Sequence, residues 1–491
     1  MMTFFLRLSR FVLFVWLLLA AIPLLAAAST AQSASSGPVI KPARLIVLTD
    51  IGAEADDTES TVRLLLYSDV IDIKGLIATT SIWHAAPSPE LIRDVIDAYA
   101  KVQGNLVKHD PKFPRAEALQ SVVKHGIAAY GMTGVGIGKD SEGSDWIIHT
   151  LDEPDNRPLW IAAWGGVNTL AQALYKIRAT RSPEDLARMV AKLRVYTISD
   201  QDDAGPWIRK NFPKLFYIVS PGGEYSQGTW GGMNAFIPGI DNSTISNKWL
   251  AEHIQQGHGP LGAAYPDVAY GMEGDTPSWL NLIPNGLNNP EHPGWGGWGG
   301  RYEFYQPKIA ITDPKTFLGG VPIEQETRPI WTNATDSYTP PAMGEYGRAI
   351  LPGSKTYRGF KETIWRWRDD FQNDFAARME WTTKSFQEAN HPPVVTLDQP
   401  AAITVRSGSH FALRAHATDP DGDSLTYYWF QYPEAGTYKG LIEMGATDMP
   451  GVYLTAPRVD QPETMHFIVR VTDKGTPPLS RYQRVIVTVT P

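Results

Sequence analysis

The sequence predicts an α/β domain, built on a mostly parallel sheet with helices on both faces, followed by a smaller all-β sandwich. Between residues 44 and 318 short β-rich apolar runs alternate with longer amphipathic ones, the pattern of a covered parallel sheet. After Pro393 the pattern changes to β-rich runs recurring at intervals of about ten residues, as in a sandwich. The chain of 491 residues contains no Cys, so packed cores, not cross-links, must stabilise it, and thiol catalysis and thiolate metal sites are excluded.

Taken in order, Arg7 and Arg10 precede an apolar run over residues 11–28 that ends in the A-x-A spacing of Ala26 and Ala28. This reads as a cleaved export signal at 1–28, with a Ser/Ala/Gln linker over 29–42. The run is short for a span of about 20 apolar residues. A secreted or periplasmic protein without a stable membrane anchor is therefore expected. Residues 45–48, 73–78, 159–163, 194–198 and 216–219 read as buried parallel strands within a domain at 43–389. In such sheets ligands sit beyond the carboxyl ends of the strands. Residues 279–301, rich in Asn, Pro, Gly and Trp, read as a long ordered loop at the site rim. Ile364, Trp367, Phe371, Phe375 and Met379 form the stripe of a helix over 362–386, ended by His391-Pro392-Pro393. A sandwich of immunoglobulin type follows at 390–491, with strands expected at 394–397, 411–416, 425–430, 467–471 and 485–489.

A formal net charge of −8 argues against a nucleic-acid partner. Sixteen Trp residues suit either sugar stacking or core packing.

The chemistry concentrates after the first strand, in Thr49-Asp50-Ile51-Gly52-Ala53-Glu54-Ala55-Asp56-Asp57. Four carboxylates so close together repel unless protons or a cation compensate them, and hard oxygen donors suit Ca²⁺ or Mg²⁺. Asp56 and Asp57 could instead cap the helix that follows. Capping does not require Asp50.

With Trp164-Gly165-Gly166-Val167-Asn168-Thr169-Leu170-Ala171, this stretch resembles the nucleoside hydrolase superfamily. More closely, the chain is similar to a bacterial family of cellulose-binding proteins with a nucleoside hydrolase-like domain and a C-terminal immunoglobulin-like domain. The resemblance implies Ca²⁺ held by Asp50, Asp57, the Trp164 carbonyl and a late aspartate, best matched by Asp275. It implies Asp56 as the base that takes a proton from the attacking water, and a carbohydrate, glycoside or nucleoside as ligand. The superfamily is often oligomeric, but the appended sandwich could block those surfaces.

This sequence also departs from the hydrolase pattern. Two extra residues separate Asp50 from Asp56-Asp57, which brings Glu54 forward as a second catalytic candidate, and Leu48 stands where many hydrolases carry another Asp. Trp83 lies where the hydrolases present an Asn, and Gly274 replaces the His that often precedes the late Asp. Asn168, Glu224, Trp230, Asn234 and Trp279 complete the expected substrate contacts, with Trp295 and Trp298 as further sugar platforms. Asp200 is open between function and structure, and Asp202 and Asp203 read as a solvated turn. Residues 134–139 form no complete phosphate loop, and there is no serine-hydrolase elbow or H-E-x-x-H pair. Asp419-Pro420-Asp421-Gly422-Asp423 reads as a plain turn, with Ca²⁺ binding as the alternative. Two functions stand at this point: a Ca²⁺-dependent hydrolase of glycosidic or N-glycosidic bonds, and a non-catalytic polysaccharide-binding protein. Nothing specific supports a third, an adhesion module.

Overall fold

A computed structural model describes residues 41–221, 225–309, 325–344 and 347–491. The expected export signal and nearly all of its linker lie outside these residues, as does Glu224. Among the described residues no helix is long and apolar enough to cross a membrane.

The α/β region is organised by β1 (Ala43–Thr49), β2 (Ile71–Ala78), β3 (Val123–His125), β4 (Leu159–Ala163), β5 (Leu193–Thr197), β6 (Phe216–Val219), β7 (Tyr302–Tyr305) and β8 (Ile330–Asn333). They lie in the order β3-β2-β1-β4-β5-β6-β8-β7, parallel except for the antiparallel edge strand β7. The order reverses between β1 and β4, and at such a switch point the connections diverge to opposite faces and leave a crevice at the strand ends. Successive side chains of β1 alternate between the two faces. Leu45 and Val47 enter one core and Ile46 and Leu48 the other, so the sheet is buried on both sides as the sequence predicted.

The sandwich pairs a three-stranded sheet (Val394–Leu397, His410–Thr418, Gly451–Thr455) with a four-stranded one (Ala402–Arg406, Ser480–Thr490, Glu463–Asp473, Leu425–Gln431). The strands Ala402–Arg406 and Gly451–Thr455 were not expected. In the first only Ile403 and Val405 alternate toward the core, too short a pattern to single out.

The sandwich shares core with the first region. Tyr432, Ile468 and Tyr482 belong to the same buried cluster as Trp279, Trp298 and Phe371. Across the seam Arg481 pairs with Asp374 at 2.6 Å and Arg470 with Asp370 at 3.1 Å. The loop expected at the site rim largely serves this seam. Asn285 accepts the Tyr482 amide at 3.0 Å, and Arg484 donates to the carbonyls of Leu287 and Gly296 at 3.1 and 3.0 Å. Gly286, at φ +86°, lies so close to the Tyr482 carbonyl that a Cβ would overlap it. The helix expected over 362–386 is two helices, Glu362–Trp365 and Arg368–Glu380, but its apolar stripe is buried throughout.

Candidate active site

A crevice of about 320 Å³ opens at the switch point. It is lined by Asp50, Glu54, Asp56, Asp57 and Asp275, by Trp83, Trp164, Tyr225, Trp230 and Tyr270, and by Gln201 and Asn234 among others. No Lys, Arg or His is among the lining residues.

Asp50 follows β1 directly, and its carboxylate accepts the Ser81 hydroxyl from the end of β2. On the other side Gly165 is packed so tightly that a Cβ would fall 2.6 Å from Asp50 Oδ1. The glycine after β4 is thus what lets the backbone approach this carboxylate. The helix α1 (Asp56–Leu65) starts with both aspartates in its first turn and has Ala55 as its N-cap without a side-chain bond. Capping therefore does not account for the pair, although the helix N-terminus favours their charge. Asp57 accepts the Thr49 hydroxyl, and Asp56 accepts the Asp57 amide at 3.2 Å.

Asp275 arrives from a distant segment. Carboxylate oxygens of Asp56, Asp57 and Asp275 lie within 4.8 Å of one another, and Asp275 Oδ2 is buried without a hydrogen-bond partner. The turn that delivers it is strained: Glu273 has φ +47°, a conformation unfavourable for a residue with a side chain. A buried network holds it there. Arg63 pairs with Glu273 at 2.6 Å, Tyr265 and Thr276 donate to it at 2.8 Å each, and Glu59 accepts its amide at 2.8 Å.

Burial pushes the Asp50 carboxyl up to about 6 despite the Ser81 bond. It raises Asp56 to about 7, with the charges of Glu54 and Asp50 adding to the effect. Asp57 and Asp275 are driven well above the usual carboxylate range, by burial first and by their acidic neighbours next. Glu54, more exposed at the mouth, is raised by burial alone. Carboxylates so arranged must keep protons or accept a cation. The unpartnered Asp275 oxygen, the all-oxygen donor set and the lack of lining cationic side chains fit a divalent cation.

One wall of the crevice is aromatic. Trp83 is 46% exposed and donates from Nε1 to the Tyr225 hydroxyl at 2.8 Å, and Tyr225 meets Trp230 edge-on at 5.8 Å. Gly274 makes room for Trp230: a Cβ there would sit 3.2 Å from its ring and 3.1 Å from Asp56 Oδ2.

Several expectations are corrected. Trp279 and Trp298 are fully buried and offer no open face; Trp279 packs on Tyr67 at 5.6 Å. Trp295 is partly buried and stacked on His292 at 4.1 Å. Asn168 is buried outside the crevice, donating to Thr80 Oγ1 and to the Ala129 carbonyl. Asp202, read as solvated, is fully buried and accepts the amides of Asn168 and Ala204 at 3.0 Å each. Asp200 is bonded through both oxygens to Arg209 at 2.8 Å each, a structural use. Trp164 lines the crevice as expected of a ligand residue, and its carbonyl accepts the Gln201 side-chain amide. Tyr270, 87% exposed at the crevice edge, was not anticipated, because it lies in a segment without periodicity.

A parallel sheet with its acidic crevice at the β1/β4 reversal, fed by the aspartates that follow β1 and by one late aspartate, defines a nucleoside hydrolase-like protein. Residues 44–302 match the family described as cellulose-binding Sde182, nucleoside hydrolase-like domain, and residues 410–489 match the cellulose-binding protein Sde0182 C-terminal domain. The chain belongs to this Sde182 family. It is 34% identical to a nucleoside hydrolase-related hypothetical protein from Saccharophagus degradans that is associated with carbohydrate metabolism, with a TM-score of 0.76 over 91% of this chain and 100% of the other. Fibronectin(III)-like modules of Clostridium thermocellum CbhA also match, at 14% identity over 20% of this chain and 46% of theirs, with a TM-score of 0.14. None of the curated proteins compared with the chain matches it.

Proposed function

We propose that this is an exported carbohydrate-active protein whose crevice binds Ca²⁺ and hydrolyses a glycosidic or N-glycosidic bond. The observation that carries the reading is the convergence of Asp50, Asp56, Asp57 and Asp275 on one crevice without a lining cationic side chain. Asp50, Asp57 and Asp275 would hold the ion. When bound it would supply the charge that compensates these carboxylates and acidifies a neighbouring water.

The chain's own residues do the rest. Asp56, the least confined aspartate of the cluster, takes the water proton on its carboxylate as the water oxygen bonds to the anomeric carbon. A base in that range is matched to neutral pH. Glu54 at the mouth, starting in its protonated form, gives that proton to the departing group as its bond to the anomeric carbon breaks and is left as the carboxylate. Trp83, Tyr225 and Trp230 stack against the sugar, while Gln201 and Asn234 bond its hydroxyls. A crevice of about 320 Å³ suits one or two rings.

The test combines calorimetric titration of Ca²⁺ with hydrolysis assays on a panel of glycosides and nucleosides. Asp50→Ala and Asp57→Ala should lose crevice metal binding and turnover together, and Asp56→Ala should keep the metal and lose turnover by about 10²–10⁴-fold. Metal loss in Asp56→Ala with turnover intact would refute the roles.

The half-exposed Trp83 favours a second reading, a non-catalytic polysaccharide-binding protein, in keeping with the family's cellulose-binding description. Retention on insoluble cellulose that survives Asp56→Ala but falls in a Trp83→Ala/Trp230→Ala chain, with no turnover of any substrate, would favour it.

A further inference from the structure

We propose a second divalent-cation site, of Ca²⁺ type, at the joint between the α/β region and the sandwich, formed by Asn390, Asp419, Asp421, Asp423 and Asp473. It shares no residue with the crevice and does not rest on the function proposed for it.

The acidic loop after the strand His410–Thr418 brings carboxylate oxygens of Asp419, Asp421 and Asp423 within 4.8 Å of one another. That alone describes many solvated turns. The second observation is how the surrounding buried groups spend their hydrogen bonds. Asp473, 2% exposed, accepts the amides of Gly475 and Leu479 and the Asn390 side-chain amide at 3.0, 2.9 and 3.2 Å, all on Oδ1. Its Oδ2 is buried without a partner. Asn390, 6% exposed, spends its Nδ2 on Asp473 and on the Pro477 carbonyl at 2.7 Å, leaving Oδ1 buried and unpartnered. Asp419 repeats the pattern. Its Oδ1 takes the amides of Asp421 and Asp423 at 2.9 and 3.1 Å, and its Oδ2 is left bare.

The groups share one place. Asn390 touches Asp473, the next residue, His391, donates its amide to Asp421 at 2.6 Å, and Asp419 is near enough for its charge to be felt at Asp473. Each side chain is therefore oriented by donors on one atom and presents a bare oxygen on the other. Buried acceptors left unbonded are costly, and one water, with two protons, could not serve three of them. A cation held by the three loop aspartates would offer them a common partner. The all-oxygen, mostly carboxylate set is that of a hard ion, and an irregular loop suits Ca²⁺ better than Mg²⁺, which demands near-ideal octahedral geometry. Because Asn390 lies in the connecting segment and the aspartates lie in the sandwich, an ion here would tie the connection to the second domain.

The test is calorimetric titration of Ca²⁺ alone into the full metal-stripped chain carrying Asp57→Ala, which disables the crevice site. One Ca²⁺ should still bind and raise the unfolding temperature. Adding Asp423→Asn, whose carboxylate serves no other hydrogen bond among the described residues, should weaken that binding at least about tenfold, and Asp419→Asn should do the same. Circular dichroism of each variant before titration identifies a folded chain. The proposal is overturned if folded Asp57→Ala protein binds no Ca²⁺, or if its binding is undiminished by both substitutions together.

Discussion

Asp336 and Asp275 are both almost wholly removed from water, at 0% and 2% exposure, yet their surroundings are opposite. Asp336, near the seam with the sandwich, is met by Arg301 at 2.6 Å and Arg366 at 3.1 Å. Asp374 across the same seam has Arg481 and Arg378, which together hold its carboxyl below the usual range although burial acts to raise it. Asp275 has a buried oxygen without a partner among the described residues, and burial followed by the charges of its acidic neighbours lifts its carboxyl far up. A buried carboxylate with its guanidinium partner is part of the architecture. A cluster of them without one is a stored electrostatic demand, which a ligand can satisfy.

The comparison is most sharply broken by stability measurements. Asp336→Ala leaves the buried Arg366 without an ion pair and Arg301 with only the exposed Glu303, and should cost about 3–5 kcal/mol in urea unfolding. Gly165→Ala forces a methyl group onto Asp50 and should cost about 1–3 kcal/mol by overpacking, with crevice Ca²⁺ affinity reduced in the folded variant. Asp275→Asn should go the other way: at pH 8, without metal, it relieves repulsion and should leave the protein equal or more stable by roughly 1 kcal/mol. A loss as large as that of Asp336→Ala would erase the distinction.

The same contrast has a pH signature. Asp50 and Asp56 are raised from the ordinary 3.8 to about 6 and about 7, so the folded state binds more protons than the unfolded one across that interval. The stability tied to their protonated forms is complete below about pH 4 and is lost as pH rises through 6 to 7. Through this term metal-free protein should be more stable at pH 5 than at pH 8, and Ca²⁺ should raise the unfolding temperature more at pH 8. Equal shifts at both pH values would contradict it. The smallest effect belongs to the aromatic wall: Trp83→Ala should weaken carbohydrate binding by about 0.5–1.5 kcal/mol while leaving Ca²⁺ titration unchanged.

The continuous apolar run of β1 and the position of Asp50, Asp56 and Asp57 after its end were legible because both are local. Strand period and helix start are set by neighbouring residues. The tryptophans were not legible. Trp279 and Trp298 looked open because glycines surround the loop, but those glycines let backbone and aromatic rings pack closely against the sandwich. Asp202 looked solvated beside Asp203, yet the start of the helix Asn168–Thr180 needed its carboxylate as an acceptor.

By itself the sequence determined the parallel sheet, the acidic segment after its first strand and the sandwich that follows, since hydrophobic period and residue type act over a few neighbours. Only the tertiary structure decided which carboxylates meet a guanidinium and which meet one another. Asp275 lies more than two hundred residues from Asp57, and Arg63 fixes its turn through Glu273; whether a buried charge is compensated depends on distances in space that no local pattern records.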